Sequence, residues 1–152
     1  RAARPPLVIL LDTTILVYAV GDDHPLRDPC RRLINAIGAG RVEATTTVEV
    51  VQELLHVRAR RRGRADAAAT ARAYSILLAP LRTVTEEDLR RGLDLYAGVE
   101  ALGAFDAVLA ATAVGAAPIT GLASADRAFA AVPGLVHHDP AVADFDERLG
   151  LD

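Results

Sequence analysis

The sequence predicts an α/β fold, a central parallel sheet covered on both faces by helices, and two observations predict it. Short apolar runs alternate with longer helical stretches, each bounded by Gly, Pro or a capping residue. The first run, LVILL from Leu7 to Leu11, is apolar throughout, as expected of a strand buried on both faces. Such strands are joined by right-handed crossovers.

Strands are expected at Leu7 to Leu11, Val42 to Thr45, Leu81 to Val84, Pro118 to Gly121 and Leu135 to His137, with helices filling the intervals. A helix from Leu26 to Ile37 ends at Gly38. A second, Thr47 to Arg62, opens on threonines and ends at Gly63. A third, Ala65 to Leu78, is stopped by Pro80, which cannot continue it. Thr85 followed by Glu86, Glu87 and Asp88 pairs a capping hydroxyl with first-turn acids, and it starts a helix running towards Ala101. The segment Phe105 to Val114 is apolar almost all round, so its helix is expected to be buried. The helix pair between Thr47 and Leu78 reads as an insertion into a plain βα unit. No repeat, low-complexity tail or interdomain linker interrupts the chain.

At 152 residues with 51% hydrophobic content, the chain has the length of one domain (1–152) and enough apolar material for a core. Its one cysteine, Cys30, cannot form an internal disulfide, and a free thiol fits a cytoplasmic, reducing location. The run LVILL is broken by Asp12, Thr13 and Thr14, too short and too polar for a membrane span or a signal peptide. The chain contains no Met and begins at Arg1, so its native start is expected to lie upstream.

Four acids sit where an apolar element stops or turns polar. Asp12 follows the first strand, at the carboxyl end where open α/β sheets place their ligands. Asp106 lies near the first turn of the buried helix, where a carboxylate is costly without a purpose. Asp126 stands at a helix start in SADRAF, and Glu53 falls within the helix TTTVEVVQELLHVRARR. Gathered at one edge they would form an all-oxygen cage for a hard cation, Mg²⁺ or Mn²⁺. Cysteine is too scarce and histidine too scattered for a zinc site. Blander roles exist for each acid: N-caps for Asp12 and Asp126, a dipole partner for Asp106, and a solvated face shared with Glu49, His56 and Arg60 for Glu53. Thr14 and Ser124, each within two residues of an acid, have hydroxyls suited to the site or to capping. Capping is favoured for Ser124 and a site role for Thr14.

Charge is unevenly spread. The net value is -3, yet all 17 basic residues are arginine, and Arg58, Arg60, Arg61, Arg62 and Arg64 fall in the run RARRRGR. Clustered arginine binds phosphate by its planar fork even in an acidic protein. Equally, such a run complements a helix C-terminus before Gly63, or meets a protein partner. His56 is expected on an exposed helix face, and His137 and His138, adjacent on a strand, point to opposite sides. No Ser-His-Asp or Cys-His set and no Gly-rich phosphate loop is present.

The segments DTTILVYA, VEVVQELL, FDAVLAATA and SADRAF, in this order and at this spacing, resemble the PIN-domain ribonucleases, most closely VapC-type toxins of bacterial toxin and antitoxin pairs. The resemblance runs from about Leu7 to Asp139. It implies a three-layer PIN-like fold in which the helix pair at about 47–78 projects as a clip. It further implies a metal-dependent endoribonuclease that uses one or two Mg²⁺ or Mn²⁺ ions, a homodimeric state, and inhibition by a cognate antitoxin. Asp12, Glu53, Asp106 and Asp126 match the family's four acids. Thr14 stands where the family often has Asn or Ser. Glu49, one turn before Glu53, competes for the place of second acid. Rival readings are a structure-specific DNA nuclease or a phosphatase with a similar acidic pocket, and a non-catalytic RNA- or protein-binding domain.

Overall fold

The computed structural model describes residues 6–152. Residues 1–5, where the expectation about the native start falls, lie outside the described residues. The elements run β1 (Val8–Leu11), α1 (Thr13–Val20), α2 (Arg27–Gly38), β2 (Glu43–Thr45), α3 (Val48–Arg62), α4 (Arg64–Leu77), α5 (Glu86–Gly98), α6 (Ala104–Gly115), β3 (Gly121–Ala123), a 3₁₀ turn (Arg127–Ala131), β4 (His137–His138) and α7 (Phe145–Leu149). The four strands form one parallel sheet in the order β2-β1-β3-β4, flanked by helices. This is the three-layer α/β architecture expected.

β1 is central, and its four residues are all buried, which explains why every position is apolar. Ile9, Leu10 and Leu11 pair with Gly121, Leu122 and Ala123, while Val8, Ile9 and Leu10 pair with Glu43, Ala44 and Thr45. The core gathers these strands with Ile15, Leu16, Leu33, Leu54, Leu109 and Phe129, all almost fully buried. Among the described residues no helix is long and apolar enough to cross a membrane.

The threonine run after β2 acts residue by residue. Thr45 Oγ1 donates to Pro80 O at 3.0 Å, Thr46 Oγ1 donates to Leu11 O at 2.7 Å, and Thr47 Oγ1 accepts from Val50 N at 3.1 Å as the cap of α3. The last two satisfy backbone groups left open at the end of β1 and the start of α3, and the first ties β2 to the loop after α4. The cap of α5 is a reciprocal box, with Thr85 Oγ1 accepting from Asp88 N and Asp88 Oδ2 accepting from Thr85 N, both at 3.0 Å.

Two close approaches depend on glycine. A Cβ on Gly92 would lie 2.8 Å from the Val108 backbone, so α5 crosses α6 nearer than any side chain would allow. A Cβ on Gly121 would lie 2.8 Å from His138 Nε2, so the imidazole packs directly on β3.

Four expectations need correction, and the first is the strand expected over Leu135 to His137, which lies instead at His137–His138, where Leu122 and Ala123 of β3 supply its partners. Leu81 to Val84 is not a strand: only Arg82 bridges Thr47, and the Glu49 carboxylate takes the Val84 N–H that a neighbouring strand would have taken. The strand expected over Pro118 to Gly121 lies instead at Gly121–Ala123, since Pro118 brings no N–H and ladder pairing to β1 begins with Thr120 N on Val8 O at 2.8 Å. The helix after Asp126 is a single 3₁₀ turn.

Candidate functional site

The carboxyl ends of β1 and β3 fix the centre of the site. Asp12 N still donates to Ala123 O at 2.9 Å, so the residue after β1 is held in the sheet while its side chain stands beyond it. Asp12 is 3% exposed, and a buried carboxylate needs donors. Ser124 Oγ and Thr14 Oγ1 supply them, donating to Oδ2 at 2.7 Å and 2.9 Å. Among the described residues no donor takes Oδ1. Asp12 is the N-cap of α1 by position, but its side chain makes no cap bond, so the blander reading fails for it.

The two hydroxyls also organise the strand-to-turn segment. Thr14 Oγ1 accepts from Ala125 N at 2.9 Å and Ser124 Oγ accepts from Asp126 N at 3.0 Å. Their mutual approach of 3.3 Å has no proton left to it, because each hydroxyl proton already points at Asp12. Ser124 therefore both turns the backbone and orients an acid, the two roles between which capping was favoured.

Asp126 caps the 3₁₀ turn, accepting from Ala128 N at 2.9 Å through Oδ1. Its capping role is real, and it leaves the second oxygen for other work. Asp106 sits in the first turn of α6, half-buried, and its carboxyl is pushed up to about 7. Burial is the largest cause, followed by the charges of Asp12 and Asp126, the adjoining Asp126 carboxyl, and the charge of Glu53. The other three acids thus act on Asp106 through a shared space, adding to the cost of ionising it.

Glu53 comes to that space from α3, with Oε2 accepting from Thr13 Oγ1 at 2.8 Å. Glu49, one turn earlier, looks elsewhere. Its Oε1 accepts from Val84 N at 3.3 Å and its Oε2 is buried without a partner, beside Phe105 and Val108. Thr13 escaped the sequence reading. Its only signal was its place between Asp12 and Thr14, and only the start of α1 separates the directions of the two threonines.

The donor set is all oxygen, and the charges that act on Asp106 are those of other acids, which suits a hard divalent ion. The set converges without closing, for among the described residues no three such side chains already stand as a ligating cluster.

The arginine run divides. Arg58 Nε meets Asp66 Oδ1 at 2.6 Å and its other arm donates to Val20 O at 3.0 Å, while Arg62 meets Asp22 at 2.5 Å. These two pin α3 to α4 and to the loop after α1, whereas Arg60, Arg61 and Arg64 are exposed without such pairs among the described residues. His56 and Arg64 line a groove between α3 and α4. His137 Nε2 lies 2.8 Å from Ser124 O. His138, 5% exposed, has both ring nitrogens unpartnered, and burial first, with Arg148 next, pulls its pKa down to about 4.

Comparison with known proteins places the fold and the family. The PIN domain family matches residues 9–135. Ribonuclease VapC7 of Mycobacterium tuberculosis is 50% identical over 147 residues, 94% of this chain and 99% of that one. Ribonuclease VapC23 of the same organism is 41% identical over 49 residues, 32% of this chain and 39% of the other. In fold, the chain is similar to VapBC2 from Rickettsia felis, bound to a DNA fragment from its promoter, at a TM-score of 0.68 and 18% identity, covering 88% of this chain and 98% of that one. It is also similar to DNA-bound VapBC from Salmonella typhimurium, at 0.66 and 14%, covering 89% and 99%. With a match across most of its length and half its residues shared with a full-length relative, the chain belongs to the PIN-domain family and, within it, to the VapC ribonucleases.

Proposed function

We propose that this chain is a divalent-cation-dependent endoribonuclease of the VapC type, a single PIN domain acting in the cytosol and held inactive by a cognate antitoxin. The observation that carries the reading is that Asp106 stands half-buried among Asp12, Asp126 and Glu53, and that burial first and these acids next push its carboxyl up to about 7. The kinship with Ribonuclease VapC7 supports the substrate class.

Phosphodiester hydrolysis needs an activated water, relief of phosphate charge and support for the leaving oxygen. Mg²⁺ or Mn²⁺, one ion or two, supplies these when bound. Asp12, Asp106, Asp126 and Glu53 would hold it. Asp12 offers Oδ1 because two hydroxyls fix the carboxylate through Oδ2. Asp106, pushed up to about 7 by burial first and by the neighbouring acids next, would give up its proton as the cation binds. Asp126 and Glu53 flank it, each steadied by one donor. Thr14 and Ser124 are positioning residues, and Glu49 braces the Val84 segment.

The groove between α3 and α4, lined by Leu55, His56 and Ala59 with Arg64 at its rim, is suited to an antitoxin segment with apolar anchors and an acidic flank. In this reading the helix pair is a clip for the partner, and the chain is a homodimer.

Total RNA incubated with the purified protein, with and without Mn²⁺, followed by mapping of cut ends, tests the activity. Discrete cuts that need the cation are expected. Cleavage of flap or duplex DNA in preference to RNA would move the reading to a DNA nuclease, and no cleavage of either would leave a binding domain.

A further inference from the structure

We infer that the groove along the outer edge of β4 is a phosphate-binding track, holding the single-stranded RNA next to the bond that is cut. This rests on the ribonuclease reading above. The groove has a volume of about 700 Å³ and is lined by Arg127, Leu135, His137, Asp139, Val142 and Arg148.

Its position ties it to the acids. Arg127 is the residue after Asp126, and the His137 ring lies 2.8 Å from the carbonyl of Ser124, whose hydroxyl holds Asp12. A strand leaving the acidic centre along this edge therefore meets the groove within one residue of Asp126. A polyanion approaching four carboxylates needs cations beside them, because the acids alone repel it.

The cations here are free to serve. Arg127 forms no ion pair among the described residues. Arg148 meets only Asp144, at 4.0 Å and with both side chains about half exposed, a pairing worth little in water. Asp139 is the opposing charge in the groove, and its Oδ1 accepts from Ala141 N at 2.8 Å. By contrast, Arg58 and Arg62 of the clip are already committed to Asp66 and Asp22. His137 offers a flat ring, tilted against Phe129 with centroids 6.0 Å apart, and Leu135 and Val142 supply apolar walls. Cations for the backbone beside a ring for a base are the combination by which proteins hold single strands without reading sequence.

The test measures affinity of a labelled single-stranded RNA for the cleavage-deficient Asp106→Asn chain in Mg²⁺ across a salt series, alone and with Arg127→Ala plus Arg148→Ala. Thermal melts of the same preparations establish that each is folded. A drop of about tenfold in affinity, with a salt slope flatter by about 0.7 per lost contact, is expected. Replacing Arg60, Arg61 and Arg64 by Ala is expected to change both far less. Unchanged affinity and slope in the Arg127 and Arg148 double variant would overturn the track, as would no RNA binding by any form. The nuclease reading fails separately: if the parent chain cuts no RNA yet binds it through these arginines, the track stands and the enzyme does not.

Discussion

At the scale of single residues, the site is governed by where one proton resides. Asp106 keeps its proton to about 7 in the folded chain but only to 3.8 when unfolded. Between these values the folded state holds more protons than the unfolded one, so stability falls as pH rises across the window, and the full cost is present above it. Asp106→Asn removes that cost at nearly constant volume. In chelating buffer the variant is expected to melt above the parent at pH 8, with the gap closing towards pH 4. Mg²⁺ or Mn²⁺ should raise the parent's Tm and leave the variant's nearly unchanged, while RNA cleavage by the variant is abolished. A variant that cleaves normally would remove Asp106 from the site. The two glutamates separate by the same logic. Glu53→Gln should lose most activity, whereas Glu49→Gln should keep it and lower Tm, because Glu49 holds Val84 rather than the acid cluster. The reverse order, read in a cleavage assay, would make Glu49 the second acid.

At the scale of elements, the helices around the site stay in place through caps and close crossings as well as apolar burial. The box at Thr85 closes the start of α5, so Thr85→Ala should cost about 1 kcal/mol, a Tm loss of several degrees with kcat unchanged. The α5 to α6 crossing is less forgiving. Gly92→Ala presses a methyl against the Val108 backbone, and α6 carries Asp106, so this change should lower both Tm and cleavage. Equal activity with a reduced Tm would mean that α6 absorbs the shift away from its first turn.

At the scale of the whole molecule, positive charge is divided between two surfaces that the composition does not distinguish. Arg60, Arg61 and Arg64 project from the helix pair, while Arg127 and Arg148 face the sheet edge. Alanine at the first three should weaken capture by the antitoxin in a pull-down of the co-expressed pair and spare RNA cleavage. Loss of RNA cleavage with antitoxin binding intact would reverse the roles of the two surfaces.

The sequence by itself determined the layered α/β class, because an all-apolar LVILL and a helix apolar almost all round after Asp106 have no stable place except against other layers. It also pointed to Asp12 and Asp106, acids set at the end of an apolar strand and in the first turn of an apolar helix, where polarity is expensive. Local pattern could not separate Glu49 from Glu53, because both occupy the same helix and their difference lies in what faces them: the Val84 N–H for one, Thr13 and the acids for the other. Nor could it foresee that Leu81 to Val84 would lose its strand, when the competing acceptor is a carboxylate 35 residues away. The tertiary structure alone decided which hydroxyl serves which acid and which arginines are already paired. Those choices depend on distances across the fold, and a chain read in order carries composition and period but not distance.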